Sequence, residues 1–211
     1  SNQYLRGLMS GHKWGRVDPD NQFATDLHYY RAGGNYGFAG YSLPTKSWSN
    51  LESTALNNAL NAFTDVGNIT ISRTYSSSQA NLAFLLVDSS FYKALYDAGV
   101  IDFEDALGTS YFPDSEINID SFNYEVGGLT TVNTDYYRSN LYQGALDMGS
   151  YFYNTFTHEI GHALGLKHPH DYSPRSQYAP FPGVGSAFND YGENDLNASP
   201  WTVMTYNFAN T

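Results

Sequence analysis

The 211-residue chain contains no cysteine. Disulfides, thiolate zinc sites, iron–sulfur clusters and thiol nucleophiles are therefore excluded, and a bound metal must be held by histidine, carboxylate or tyrosine side chains. Basic residues are also few: the chain has 10 Lys and Arg and 21 Asp and Glu, which gives a net charge of −11. Such an acidic chain offers no electrostatic footprint for phosphate backbones or anionic lipid, so we expect neither nucleic acid nor a membrane as partner.

Long hydrophobic runs are absent as well. The longest covers residues 82–87, far short of the roughly 20 residues that span a bilayer. Hydrophobic residues nevertheless make up 41% of the chain and aromatic residues 17%, which excludes a disordered protein. Charged residues reach only 15%, against about 25% in an average domain. This composition is typical of an exported protein, so we expect a secreted, extracellular location.

No internal repeat or low-complexity linker divides the chain, which favours a single domain over residues 1–211. The periodic segments end near residue 165. We therefore expect an N-terminal lobe over about residues 1–165 and a smaller, irregular C-terminal lobe over about residues 166–211. A monomer is the expected quaternary state.

Two long helices are predicted. Ser49 and Glu52 have the spacing of a capping box ahead of an apolar stripe, which predicts a helix over residues 50–66. A second apolar stripe covers residues 152–164, and Gly165 supplies its C-terminal stop.

Short β-rich runs surround these helices, at residues 26–31, 68–75, 80–87, 106–112 and 116–122. Strands alternating with helices in this way predict a mixed α/β fold with a twisted, mostly parallel sheet. Residues 127–150 are rich in Gly, Asn and Tyr and show no periodicity. We expect a long surface connection there.

The chemistry is concentrated in the run HEIGHALGLKH, from His158 to His168. Helical residues four apart project from one face, so His158 and His162 can both reach one ion at about 2.1 Å. A continued helix would turn His168 about 240° away from them. The chain must therefore bend first, and Gly165 can adopt the positive φ that such a bend requires. Three neutral imidazoles with an open coordination position predict a Zn²⁺ site.

Glu159 lies beside the first of these histidines and points to the flank of the metal site, where a water would bind. Zinc lowers the pKa of a bound water from about 15.7 to about 7, which lets a carboxylate accept its proton. The pattern predicts peptide-bond hydrolysis by metal-activated water with Glu159 as general base. Two alternatives stay open: a catalytically idle zinc-bound binding or surface-layer module, and hydrolysis of a non-peptide amide.

The histidine motif, followed by Met204 and Tyr206, resembles the metzincin metallopeptidases. Pro169 after the third histidine, the tyrosine two residues after the methionine, and GHKWG at residues 11–15 resemble in particular the serralysins, secreted proteases of that superfamily. The resemblance implies a two-lobed zincin fold and protein or peptide substrates. It also allows a proteinaceous inhibitor as a further partner.

The same resemblance implies roles for residues outside the histidine motif. Met204 would form an apolar floor beneath the imidazoles without binding zinc. Tyr206 would be a further zinc ligand that leaves when substrate enters and then stabilises the oxyanion. Gly108, Thr109 and Ser110 would lie on an edge strand that pairs with the substrate backbone. A purely structural edge strand is the open alternative for these three residues.

Calcium is an allowed cofactor that no motif in the chain supports. The Gly-Gly-x-Gly-x-Asp repeats of serralysins do not occur in these residues, so the resemblance covers the catalytic domain only. Residues 190–195 form an acidic stretch that could hold a cation. A solvated acidic loop is the favoured interpretation of that stretch.

Overall fold

Helices and strands alternate along the chain in a computed structural model that describes residues 2–15, 25–38, 41–119, 121–138, 144–173 and 175–208. The α-helices are α1 (Gln3–Gly7), α2 (Asn50–Thr64), α3 (Ser89–Asp97), α4 (Asp135–Arg138) and α5 (Tyr151–Ala163). The strands are β1 (Thr25–Arg31), β2 (Gly34–Phe38), β3 (Tyr41–Thr45), β4 (Ile69–Arg73), β5 (Leu82–Val87), β6 (Gly108–Ser110), β7 (Glu116–Ile119), β8 (Phe122–Glu125) and β9 (Leu129–Asn133). No helix among these residues is long and apolar enough to cross a membrane.

The central sheet contains five strands in the order β4-β1-β5-β9-β6. Strand β1 pairs in parallel with β4 and β5, and β5 pairs in parallel with β9. Strand β6 is antiparallel to β9 and forms the edge of the sheet. The predicted mixed α/β fold with a mostly parallel sheet is thereby confirmed.

Strand β5 is buried on both faces. Its even-numbered side chains pack into a cluster that includes Leu56 of α2 and Ile160 of α5. Its odd-numbered side chains pack into a second cluster that includes Phe91 and Tyr92 of α3. The sheet is therefore a layer between helices, which is why this strand is apolar throughout and does not alternate.

Helix α2 begins where the sequence predicts. The Ser49 side chain accepts a hydrogen bond from the backbone N–H of Glu52 (3.2 Å), and the Glu52 carboxylate accepts one from the backbone N–H of Ser49 (2.7 Å). This is the predicted capping box. The helix ends at Thr64, two residues earlier than predicted, and just after it the N–H of Val66 donates to the carbonyl of Phe63, three residues back (3.4 Å), where an α-helix would bond four residues back.

The prediction of a surface connection over residues 127–150 is wrong, because β9 lies within this stretch, between β5 and β6. Its threonines are buried and satisfied by neighbouring hydroxyls. The Thr131 hydroxyl lies 2.7 Å from the Tyr92 hydroxyl and 2.8 Å from that of Thr109. Buried hydroxyls paired in this way cost little, so a central strand can be polar in sequence.

The run predicted over residues 116–122 also differs from the structure. It is split between β7 and the start of β8, which form an antiparallel hairpin. The predicted strand over residues 106–112 is reduced to β6. Pro113 lies in the turn between β6 and β7, where the N–H of Ser115 donates to the carbonyl of Phe112 (3.2 Å).

Candidate metal centre

Helix α5 carries His158 and His162 and ends at Ala163. The chain then turns back toward these two histidines. The N–H of Leu166 donates to the carbonyl of Gly161 (2.8 Å), and the N–H of Gly165 donates to that of His162 (2.9 Å). This pair of bonds is a Schellman helix end. Gly165 has a φ of +99°. The predicted bend is present, and it places His168 next to the helical histidines.

The three imidazoles converge on one point. The Nε2 atoms of His158 and His162 are 3.1 Å apart, those of His158 and His168 are 3.1 Å apart, and those of His162 and His168 are 3.0 Å apart. Three nitrogens at this spacing can each lie about 2.0–2.1 Å from a common ion, which is the zinc–imidazole distance. The sequence-predicted triad is therefore assembled with metal-binding geometry.

The Nδ1 atom of each imidazole is held by an oxygen that can only accept a hydrogen bond. These contacts are His158 to the Val203 carbonyl (2.7 Å), His162 to the Leu166 carbonyl (2.7 Å) and His168 to the Asp171 carboxylate (2.6 Å). Each Nδ1 therefore carries the ring hydrogen, and each Nε2 of a neutral ring presents a lone pair.

Three lone pairs facing one another cannot form hydrogen bonds among themselves, and they are satisfied together only by a cation. Burial, together with the neighbouring His168, lowers the pKa of His158 to about 4 and that of His162 well below its usual range. Both rings are therefore neutral at pH 7 and available as ligands. An all-imidazole donor set without thiolate fits zinc.

Glu159 is buried at 6% exposure and lies against β6. A Cβ placed on Gly108 would be 2.8 Å from the Cγ atom of Glu159 and 3.1 Å from its Oε1 atom. Burial raises the pKa of Glu159 to about 8. A divalent cation held by the imidazoles would favour the ionised carboxylate.

Met204 lies beneath α5 and is fully buried. Its Sδ atom occupies the space that a side chain at Gly161 would need. The preceding residue supplies the carbonyl that holds the His158 ring. The turn around Met204 thus packs against α5 at Gly161 and holds the His158 ring through a backbone carbonyl.

Tyr206 lies against the histidine cluster, with 40% of its surface exposed. Its ring centroid is 4.6 Å from that of His168 and 5.7 Å from that of His158. Burial, together with the charges of Glu159 and Asp171, raises the pKa of Tyr206 to about 12. The phenol is therefore protonated at pH 7 and can donate a hydrogen bond.

The remaining predicted site residues are the members of β6. Gly108 contacts Glu159, as described above. The hydroxyls of Thr109 and Ser110 are each 2.8 Å from a threonine hydroxyl of β9, so these side chains are engaged within the sheet. What β6 can offer an extended peptide is its backbone.

Sequence reasoning missed the partners of the imidazole Nδ1 atoms. Asp171 had a detectable signal, because a carboxylate three residues after His168 can return to it through a turn, and the N–H of Asp171 donates to the carbonyl of His168 (3.1 Å). The carbonyls of Leu166 and Val203 had none, since any residue supplies a carbonyl.

The acidic stretch at residues 190–195 is a loop held by its own carboxylate. Asp190 accepts hydrogen bonds from the backbone N–H groups of Gly185 (2.7 Å), Ser186 (3.0 Å) and Gly192 (3.2 Å). The residues of this stretch are not among the clusters of histidine and carboxylate close enough to share an ion, within the part of the chain that the structure describes.

Comparison with known proteins gives consistent matches. A family model described as metallo-peptidase family M12B, reprolysin-like, matches residues 53–169, more than half of the chain. Serralysin from Photorhabdus laumondii subsp. laumondii is 26% identical over 208 residues, which is 94% of this chain and 36% of that protein. Serralysin from Photorhabdus luminescens is also 26% identical over 208 residues, covering 94% of this chain and 35% of the relative. The chain thus spans about a third of the length of these relatives.

Proposed function

This chain belongs to the M12B reprolysin-like metallopeptidase family, and from that premise we propose that it is a zinc-dependent endopeptidase. The serralysin matches confirm the resemblance to a serralysin-type catalytic domain. One observation carries the proposal: three Nε2 lone pairs converge on one point, and the residue after the first of these histidines on α5 is the buried Glu159.

The metal ligands in this proposal are His158, His162 and His168, with Tyr206 as a further ligand before substrate binds. When bound, zinc supplies Lewis acidity, which polarises the scissile carbonyl and lowers the pKa of a coordinated water to about 7. The imidazole orientation needed for this is set by the Nδ1 partners, among which Asp171 also adds negative charge.

Glu159 acts as general base in this proposal. Its carboxylate takes the proton of the attacking water and returns it to the nitrogen of the leaving amine, so the peptide bond breaks without a covalent intermediate. Burial raises the pKa of this carboxyl to about 8, and a divalent cation held by the imidazoles would favour the ionised form that accepts the proton. Tyr206 donates its phenolic hydrogen to the carbonyl oxygen as negative charge develops there.

The backbone of Gly108, Thr109 and Ser110 pairs with the substrate in this proposal, because β6 is an edge strand of the sheet. Met204 stays structural. We further propose that residues 1–211 act as one catalytic domain with a cleft between two lobes, that the protein is secreted, and that it acts on proteins or peptides as a monomer. Its activity should then be recovered from the culture medium of cells that express it.

The test compares casein hydrolysis by the zinc-loaded protein and by the Glu159→Gln variant, which preserves shape but cannot accept a proton. Wild type should cut casein, and the variant should be about 10²- to 10⁴-fold slower with unchanged zinc content. If both proteins bind one zinc and neither cuts a peptide or any other amide, the idle binding-module alternative is correct. Turnover of a non-peptide amide without cleavage of any peptide would support the other alternative.

A further inference from the structure

An exposed phenylalanine, Phe188, contacts Tyr206, which in turn contacts the histidine cluster. Phe188 is 64% exposed, and its ring stacks on Tyr206 with centroids 5.2 Å apart and planes 18° apart. Tyr206 in turn stacks on His158 at 5.7 Å with an interplanar angle of 22°. Phe188 therefore continues the aromatic surface of the site outward into solvent.

The loop that carries Phe188 is held firmly at both ends. The Asp190 carboxylate gathers backbone N–H groups on both sides of it, as described above. Asn207, the residue after Tyr206, accepts a hydrogen bond from the N–H of Asn189 (2.7 Å) and donates one to the carbonyl of Asp190 (3.1 Å). One asparagine thus fastens the Phe188 loop to the segment that positions Tyr206.

Exposed apolar side chains occur singly on most proteins and need no explanation by themselves. Phe122, for example, is 67% exposed at the start of β8. Phe188 differs because it stacks on a ring of the metal centre and sits on a hydrogen-bonded loop. A rigid aromatic ring gives contact area at a low cost in conformational entropy, and such rings dominate the energy of recognition.

We propose that Phe188 and Tyr206 form an aromatic wall that binds an apolar side chain of the substrate next to the scissile bond. Phe188 is then a specificity-determining residue, and its contact favours Leu, Phe or Met over small polar side chains at that position. This inference rests on the proposed peptidase function.

The test uses two pairs of peptides. In one pair Leu or Ser precedes the scissile bond, and in the other Leu or Ser follows it. In one of the two pairs, Phe188→Ala should lower kcat/KM for the Leu peptide about 10-fold, mainly by raising KM. In the same pair, kcat/KM for the Ser peptide should fall less than about 2-fold. Phe122→Ala is the matched control and should leave all four values unchanged.

Two results would overturn the wall: an equal loss on Leu and Ser peptides in both pairs, or no change on any of them. The first would mean that Phe188 only positions Tyr206. Calorimetric binding of the same peptides to zinc-loaded Glu159→Gln separates this inference from the proposed function. A preference for Leu in binding that disappears with Phe188→Ala supports the wall even if no peptide is cut, whereas equal binding of Leu and Ser peptides contradicts it.

Discussion

The Cγ atom of Glu159 lies 2.8 Å from the point that a Cβ on Gly108 would occupy. The same Cβ would be 3.0 Å from the carbonyl oxygen of Thr131, so it could not move aside. The missing side chain in β6 is therefore what allows the proposed general base to reach its position. Strand β6 and helix α5 therefore approach each other closely where Gly108 faces Glu159.

Replacing Gly108 by alanine should displace the Glu159 carboxylate while the imidazoles stay in place. We expect Gly108→Ala to lower kcat about 10- to 100-fold, because misplacement of a reacting group by about 1 Å has that effect. Zinc content, measured on the same preparation, should not change. Gly37→Ala in β2 is the control, since a Cβ there meets nothing within 4 Å. Full activity of Gly108→Ala would show that the contact is irrelevant to the reaction.

Asp171 orients His168 through a 2.6 Å hydrogen bond to its Nδ1 atom. Asp171→Asn keeps an acceptor but removes the charge, so we expect zinc affinity to fall about 10- to 100-fold. Competition with a chelator measures this directly. The control is Asp97→Asn, which removes an exposed carboxylate paired with Lys93 on α3. Unaltered zinc affinity of Asp171→Asn would rule out a role for this carboxylate at the metal centre.

The bend at Gly165 sets the position of the third imidazole. Its φ is +99°, and a Cβ would collide with the carbonyl oxygen of His12. Gly99 also has a positive φ, +68°, but a Cβ there meets nothing within 4 Å. Gly99→Ala should therefore cost only the strain of a left-handed alanine, about 1–2 kcal/mol. Gly165→Ala should cost more unfolding free energy and should also weaken zinc binding, and equal losses in the two variants would contradict this.

The buried Glu52 carboxylate forms an ion pair with the partly exposed Arg138, with a distance of 2.7 Å to Nε, and accepts a hydrogen bond from the Tyr137 hydroxyl (2.8 Å). Burial alone would raise the pKa of Glu52, but the bonds from Arg138, Ser49 and Tyr137 together lower it. Glu52→Gln should lower the free energy of unfolding by about 2–4 kcal/mol at pH 7.

The pH dependence of this difference in unfolding free energy follows from the direction of the Glu52 pKa shift. A depressed native pKa stabilises the fold fully above the unfolded value of about 4.3, and the contribution is lost as pH falls through the native pKa. Denaturant unfolding of wild type and Glu52→Gln should thus differ most above pH 5 and converge in more acidic solution. A constant difference down to pH 2 would show that the pair does not titrate as described.

The clustering of the three histidines could be predicted from sequence because the residues that produce it are close together in the chain. His158 and His162 are placed by helical periodicity, and Gly165 is placed by the need for a positive φ after the helix. Short-range rules therefore fix most of the triad. The same rules fixed the capping box at Ser49.

What sequence reasoning missed depends on contacts between distant segments. Strand β9 lies inside the sheet, yet its sequence predicts an exposed segment. The hydroxyls that satisfy Thr131 belong to Tyr92 and Thr109, which are 39 and 22 residues away in sequence. The Val203 carbonyl holds a ring 45 residues earlier in the chain. Patterns of hydropathy contain no information about such pairings.

The central claim is that one zinc ion binds where the three Nε2 atoms meet. Anomalous scattering at the zinc edge, from crystals of the metal-replete protein, tests it most directly. The account predicts a single peak about 2.0–2.2 Å from the Nε2 atoms of His158, His162 and His168. A zinc peak elsewhere, or imidazoles splayed apart with no peak between them, would contradict it.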